Sequence, residues 1–382
     1  MPVDRPPSWE QGFPEGFGVG PAEREAALLL RCLLGIMPRA LHELAWREGS
    51  ACFTVAAIVR GAAGSDLDRA FLHEADLARI RASLTACGAR FAAPGDDDYW
   101  PAFVRLADPP VGVFVRGERL DPGDVRVAVI GSRRPSALGR DVAIDLGRGL
   151  VRAGAVVVSG GAIGIDAAAH LGALDAAGRT VAVLGSGIDV AYPASNRVLL
   201  ERIPDAGTVI SEYPPGVPAE PFRFPARNRL IAALSRAVVV VEGAAQSGTR
   251  ITAECATDLG LDVFAVPGPV TSPLAETPLA LIRDGARMIR GADDLLADLD
   301  LAPVVAARAA PVGLPPDEQR AFDALEVSML PDALARSAAM SLSEAVGALI
   351  RLELRGLVRG VGGRYERTFG RGPVGEANRS IG

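Results

Sequence analysis

Two periods of apolar positions divide the chain. In its middle, short runs of aliphatic residues alternate with longer stretches in which apolar residues recur every three to four positions. The runs over residues 127–130, 155–158, 181–184, 208–211, 237–241 and 263–266 predict strands buried on both faces. Between the first two, residues 138–153 carry Val142, Leu146, Leu150 and Val151 at helical spacing, and residues 249–259 predict a helix between the last two. Such alternation marks βαβ units and a parallel sheet. The predicted fold class is therefore α/β: a Rossmann-like, doubly wound, mostly parallel sheet.

The flanks read differently. Residues 21–95 are helical in pattern, with Ala26, Leu29, Leu30, Leu33 and Leu34 as one apolar face. Residues 96–125 form a connector with an acidic run, Trp100, the rigid pair Pro109 and Pro110, and a short strand over 111–115. Beyond the Rossmann-like domain (126–300) comes an Ala/Pro linker (301–315). Residues 316–370 then read as three helices and a hairpin turning through Gly362 and Gly363, a winged-helix pattern. Ser341 and Glu344 predict a capping box at the start of the third of these helices. Residues 1–20 are expected to be a disordered N-terminus and 371–382 a tail.

Composition narrows the classes. No apolar run in the 382 residues approaches the ~20 needed to span a bilayer. The Pro-rich start has no apolar core of a secretory signal, so a cytoplasmic location is expected. The four cysteines (Cys32, Cys52, Cys87, Cys255) are scattered without a C-x-x-C pair, which predicts thiols instead of disulfides or a zinc site. No cofactor or metal is expected. The net charge is −6, yet residues 131–250 hold 13 arginines against 10 acidic residues. A mildly basic centre between acidic flanks suits a local polyanion site. Lysine is absent throughout, so every such contact falls to arginine, apart from the three histidines.

The strand ends carry the candidate chemistry. The first strand runs into Gly131, Ser132, Arg133 and Arg134, and the second into Ser159, Gly160 and Gly161. Small residues at a strand-to-helix turn leave backbone N–H groups free for an anion, and arginine adds a bidentate phosphate donor. Further arginines follow at Arg197 and in the run PFRFPARNRLIAALSR, where Phe222 and Phe224 interleave with Arg223, Arg227, Arg229 and Arg236. Tyr192 and Tyr213 lie at neighbouring strand ends. Arginine with aromatic faces is the chemistry of single strands, phosphate by charge and base by stacking. Against this, some of these arginines are expected to pair with Asp205, Glu212 and Glu220, Arg202 and Arg236 foremost.

Competing chemistries fare worse. A dinucleotide fingerprint needs a third glycine where Val190 stands and an acid where Ser159 stands, and no Gly-Lys pair makes a Walker loop. Ser159 lacks the preceding glycine of a nucleophile elbow. His170 lies four residues from Asp166, which reads either as a base with its orienter or as two residues satisfying each other's hydrogen bonds. No catalytic set emerges, and the protein is not expected to be an enzyme.

Seven ordered motifs, GSRRPSALG, SGGAIGIDAAAH, AVLGSGIDVAYPASN, ISEYPPG, FPARNRLIAALS, VVVEGAAQSGTRITAECA and VFAVPGPV, closely resemble the DprA (Smf) family of DNA-processing proteins. The resemblance implies a non-enzymatic protein that binds single-stranded DNA, protects incoming DNA in natural transformation, helps load the RecA recombinase and acts as a homodimer. By position, Ser132 and Arg133 resemble phosphate ligands of the first turn, and Arg227 and Asn228 those of the FPxRN motif. Arg134, Arg197, Phe224, Arg229 and the turn Ser247, Gly248 and Thr249 complete the expected DNA contacts, with Ser159, Gly160 and Gly161. The alternative is a Rossmann-fold nucleoside-monophosphate hydrolase of the lysine-decarboxylase-like group, but its paired glycines are missing before Gly248 and Thr249. Two departures from the family stand out. Ala194 occupies a position where many members have lysine, and residues 275–278 replace a Gly-Cys-Asn-like run. Arg197, three residues beyond Ala194, either covers the missing charge or pairs with Glu201.

Overall fold

The computed structural model describes residues 12–245, 247–301, 314–325, 329–355, 357–361 and 363–367. The chain forms two compact units, Met1–Pro303 and Val304–Gly382.

In the first unit five helices, α1 (Pro21–Cys32), α2 (Pro38–Glu48), α3 (Ala51–Val59), α4 (Asp66–Glu74) and α5 (Leu77–Ala86), precede the strands β1 (Ala89–Ala92) and β2 (Val113–Gly117). The alternating part follows as β3 (Arg126–Ile130), α6 (Ala137–Arg152), β4 (Val156–Ser159), α7 (Ile165–Asp175), β5 (Thr180–Gly187), α8 (Arg197–Ala206), β6 (Thr208–Tyr213), α9 (Arg223–Ala233), β7 (Ala237–Val240), α10 (Gly248–Asp258), β8 (Asp262–Ala265), α11 (Glu276–Arg283), β9 (Arg287–Met288) and α12 (Ala292–Asp298). All nine strands join one sheet in the order β1-β2-β6-β5-β4-β3-β7-β8-β9. From β6 to β9 every neighbouring pair is parallel, whereas β1, β2 and β6 pair antiparallel. The expected α/β fold is present.

The alternation of side chains along each strand sorts the core into layers. Val127 and Val129 of β3 face Val142, Leu146 and Leu150 of α6. Ala128 and Ile130 point the other way, into a cluster with Leu230 and Ile231 of α9 and Ala253 of α10. On the first face α6 and α7 pack almost backbone to backbone. A Cβ at Gly147 would strike the Ala169 carbonyl, and one at Gly172 the Ile144 carbonyl. Glycine is required there for space.

Three expectations change. Residues 89–92, read as the tail of a helical segment, are a strand, and the connector strand lies at Val113–Gly117, two residues later than its apolar run suggested. Both extend the central sheet, so the connector is part of it. The apolar face of α1 is present as expected at Ala26, Leu30 and Leu33 but is wider, taking in Ala27, Leu28 and Arg31, while Leu34 lies beyond the helix and is half exposed. Residues 12–20, expected to be disordered, pack on the helices, with Phe17 in the core and the Trp46 indole donating to the Gly12 carbonyl at 2.8 Å. Residues 1–11, most of the linker and the tail from 368 onward lie outside the described residues.

The second unit holds α13 (Pro316–Ala324), α14 (Pro331–Ser337) and α15 (Leu342–Leu354), then a hairpin of β10 (Val358–Val361) and β11 (Arg364–Arg367). It is the expected winged-helix arrangement. The capping box on α15 is formed, with Glu344 N–H donating to Ser341 Oγ at 3.2 Å and Ser341 N–H to Glu344 Oε2 at 2.8 Å. Gly362, at the expected turn, lies outside the described residues. Among the described residues no single helix is long and apolar enough to cross a membrane.

Candidate nucleic-acid interface

Parallel strands deliver their carboxyl ends, and the turns that follow, to one edge of the sheet. At β3 and β7 the strand order reverses, because the chain continues from β3 to β4 on one side and from β7 to β8 on the other. A crevice at such a reversal is where open α/β sheets bind ligands. Here the two strand ends are tied together by the Ser132 N–H, which donates to the Glu242 carbonyl at 2.7 Å.

Arg133 and Arg134 project from the first turn. Both are exposed, and among the described residues neither takes part in an ion pair. Ser132 is half-buried and its Oγ accepts from the Arg134 N–H at 3.0 Å, which shapes the turn. The Arg133 guanidinium lies 5.1 Å from the Phe224 ring centroid, and Phe224 lies 5.4 Å from Tyr192, at an interplanar angle of 32°. Tyr192 is 45% exposed. An unpaired cation thus heads a short row of two rings, Phe224 half-buried and Tyr192 exposed at its far end. The contact of Tyr192 with Phe224 crosses 32 residues of chain and has no local signal in the sequence.

The turns themselves are not empty cradles. At the start of α6 the Glu242 carboxylate accepts from the Ser136 N–H at 2.8 Å and from the Ser136 hydroxyl at 2.6 Å, and Ser136 Oγ in turn caps the Gly139 N–H at 2.9 Å. At the start of α7 the Asp166 carboxylate accepts from the Gly160 N–H at 3.1 Å and the Ala162 N–H at 3.4 Å. Several backbone donors at these turns are therefore taken within the protein, those of Ser136, Gly160 and Ala162 by carboxylates, that of Ser132 by the Glu242 carbonyl and that of Arg134 by Ser132 Oγ. Burial pushes the Asp166 pKa up, with Arg227 opposing.

Arg227 is likewise turned inward. It is 4% exposed and donates through Nη1 to the carbonyls of Gly160 (2.5 Å) and Val183. Gly160 is therefore clamped from both sides, its N–H by Asp166 and its carbonyl by Arg227. A Cβ on Gly160 would lie 2.6 Å from Arg227 Nη2. Burial lowers the Arg227 pKa to about 10, with Asp166 opposing and Arg133 adding to the shift. Asn228, half-buried, accepts from Arg227 Nε at 3.2 Å and donates to the Gly248 carbonyl at 3.1 Å, which links α9 to the start of α10. There Gly248 is exposed, Ser247 half-buried and Thr249 buried. The altered residues 275–278 brace this turn: Thr277 Oγ1 donates to the Ala244 carbonyl at 2.6 Å and Glu276 accepts from the Ala245 N–H at 3.2 Å.

Arg229 is placed elsewhere. Every nitrogen of its guanidinium is bonded within the protein, to Asp108, Glu212 and the Ala226 carbonyl. Arg31 of α1 lies 3.5 Å from the same Glu212, and all three charged side chains are nine-tenths or more buried. Burial works against the Glu212 charge, but Arg229 and Arg31 together hold its pKa below the ordinary value. The expected pairing of arginines with Glu212 and Glu220 is present, through Arg229 and Arg31 for Glu212 and through Arg223 for Glu220 at 2.8 Å, but among the described residues not through Arg202 or Arg236, which were expected foremost. Arg202 and Arg236 are exposed. In the sequence Arg31, a lone arginine in an apolar helix, resembles a solvated residue, and only its burial against Glu212 shows otherwise.

Two more readings are resolved by distance. His170 and Asp166 do not bond each other. The His170 ring meets Thr180 Oγ1 at 2.7 Å through Nδ1, while Asp166 turns back to the glycine loop. Arg197 begins α8 beside Asn196, whose Nδ2 donates to the Gly161 carbonyl at 3.0 Å, so it stands at the same edge as the glycine loop. Its separation from Glu201 is 3.9 Å, with both side chains more than half exposed. Such a pair holds it only weakly.

Comparison with known proteins gives a consistent picture. Residues 90–300 match the family model described as DNA recombination-mediator protein A, and residues 305–364 match the DprA winged helix domain. The chain is 45% identical over 223 residues to a putative DNA processing protein DprA of Mycobacterium tuberculosis (strain H37Rv), covering 55% of this chain and 57% of that one. It thus spans little more than half the length of that relative. Protein Smf of Escherichia coli (strain K12) is 35% identical over 286 residues, covering 72% of this chain and 76% of its own. Among solved structures, DNA processing protein A from Streptococcus pneumoniae superposes with a TM-score of 0.57 at 33% identity, covering 69% of this chain and 99% of that one.

Proposed function

The chain belongs to the DprA (Smf) family of DNA-processing proteins, and from that premise we propose that it binds single-stranded DNA along the carboxyl edge of its sheet. The observation that carries this reading is the exposed pair Arg133 and Arg134, with Arg133 beside the Phe224 ring and Tyr192 next to it. The guanidinium groups take phosphodiester oxygens, and the rings offer faces on which unpaired bases stack. Neither contact reads a base edge, so little sequence dependence follows. Arg197 and the Ser247–Gly248–Thr249 turn extend the track, while Arg227, Asn228 and Asp166 hold the glycine loop in place beneath it.

The finer role inferred from the family is protection of incoming DNA in natural transformation and help in loading the RecA recombinase, performed by a homodimer. For the dimer, β9 leaves an outer sheet edge, and Val270 (87% exposed) and Met288 (52%) supply apolar surface on the β8–β9 segment. The hydrolase reading lacks comparable support: Glu254, the acid it needs near Thr249, is exposed and engaged with Arg250 at 2.8 Å.

A mobility-shift titration with single- and double-stranded DNA of equal length tests the proposal. Preference for the single strand is expected, with affinity falling as salt rises by about 0.7 log units per log unit for each phosphate contact. Equal affinity for duplex, or no salt dependence, would refute it.

A further inference from the structure

Rossmann-like folds commonly hold a nucleotide phosphate at the N-terminus of the helix after the first parallel strand, beside the reversal in strand order. In this chain that place is the start of α6, at the end of β3. It is already occupied. Glu242, coming from the end of β7, puts one carboxylate oxygen 2.8 Å from the Ser136 N–H and the other 2.6 Å from the Ser136 hydroxyl. The first turn of α6 is shaped around the same group, since a Cβ on Gly139 would collide with the Glu242 carboxylate. The backbone of Glu242 is fixed too, by the Ser132 N–H on its carbonyl. Donors, close backbone approach and a bound anion are all present, but the anion is a side chain of the protein.

We propose that Glu242 is a selectivity residue: a resident anion that closes the nucleotide cradle of the fold and confines phosphate recognition to the exposed arginines outside it. A phosphomonoester placed at α6 would have to displace a carboxylate bonded twice to Ser136, and would meet its charge if it failed to. A phosphodiester backbone lying across Arg133 and Arg134 needs no such entry, because those side chains stand clear in solvent. The chain therefore discriminates between a polynucleotide and the free nucleotides that surround it in a cell. The closure of the cradle is independent of single-strand binding, although its benefit rests on that reading. A nucleotide-binding measurement therefore fails separately from a DNA-binding one.

The test uses the full chain, adenosine 5′-monophosphate and isothermal titration calorimetry, with inorganic phosphate as competitor. The parent is expected to show no saturable heat at millimolar nucleotide. Glu242→Ala, folded by circular dichroism, is expected to gain saturable binding at least about tenfold tighter than the parent, the scale of one charge-assisted contact, and to lose it to phosphate. Glu242→Ser shortens the side chain while keeping a hydroxyl for Ser136, and serves the same purpose should the alanine variant not fold. Nucleotide binding by the parent itself overturns the proposal. So does a folded Ala or Ser variant that still binds neither nucleotide nor phosphate.

Discussion

Arg133 and Arg227 sit in motifs that suggest one role, yet their surroundings assign them two. Arg133 is exposed and among the described residues forms no ion pair, whereas Arg227 is buried and holds two backbone carbonyls. Arg133→Ala is expected to weaken binding to a thymidine oligomer and to make the salt slope shallower by about 0.7, with the melting temperature unchanged. Arg227→Ala strips the Gly160 and Val183 carbonyls of a buried donor, and each such group costs ~1–3 kcal/mol. A clear drop in melting temperature is expected beside its loss of binding. Equal melting temperatures for the two variants would make Arg227 a contact instead of a brace. Arg197 belongs with Arg133, because its pairing with Glu201 is long and solvated. Arg197→Ala should also flatten the salt slope by about 0.7, and adding Ala194→Lys to it should recover much of the affinity. An unchanged slope in the single variant would remove Arg197 from the DNA track.

At the scale of elements, α7 is fastened to β5 by a histidine that cannot charge in place. His170 is fully buried, its Nδ1 is bonded to Thr180 Oγ1, and among the described residues its Nε2 has no partner. Burial, aided by the nearby Arg227 charge, lowers its pKa to about 3 from the ordinary 6.5. A depressed folded pKa means that the unfolded chain takes up the proton first as pH falls. The contribution is complete above pH 6.5 and is lost as pH falls towards 3, amounting to ~2 kcal/mol by pH 5. Urea unfolding at pH 7 and pH 5 should show that loss in the parent and a smaller one in His170→Gln. Parallel losses in both proteins would mean that the imidazole is solvated or already charged in the folded state.

At the scale of the whole molecule, the DNA edge lies within the unit Met1–Pro303, which has its own cores. The winged-helix unit is built on a separate cluster around Leu334, Leu349 and Leu352. The solvent side of α15 shows Leu342, Ile350 and Leu354 in place of a basic face. A chain ending at Pro303 is therefore expected to retain most of its single-strand affinity, within about threefold, or ~0.7 kcal/mol. A loss of tenfold or more would make the winged-helix unit a primary reader of DNA.

The sequence by itself determined β3 to β8, because each is a short apolar run closed by glycine, serine, proline or a charged residue, and those signals are local; β9, the exposed pair Arg287 and Met288, carries no such signal. The sequence also located the arginines and small residues of the binding edge, since strand ends in a parallel sheet must share one side. Only the tertiary structure decided which of those groups remain available. Glu242 lies 106 residues from the Ser136 that it caps, Arg227 lies 67 from the Gly160 that it holds, and Arg229 lies 17 from Glu212 and 121 from Asp108. Likewise β1 carries too few alternating positions to announce itself and becomes a strand because β2 offers an edge to pair with, while the strand expected over 111–115 joins the central sheet because β6 offers it one. An arginine's chemistry is written in its side chain, but whether it meets a phosphate or a carboxylate is set by what the fold brings within 3 Å of it.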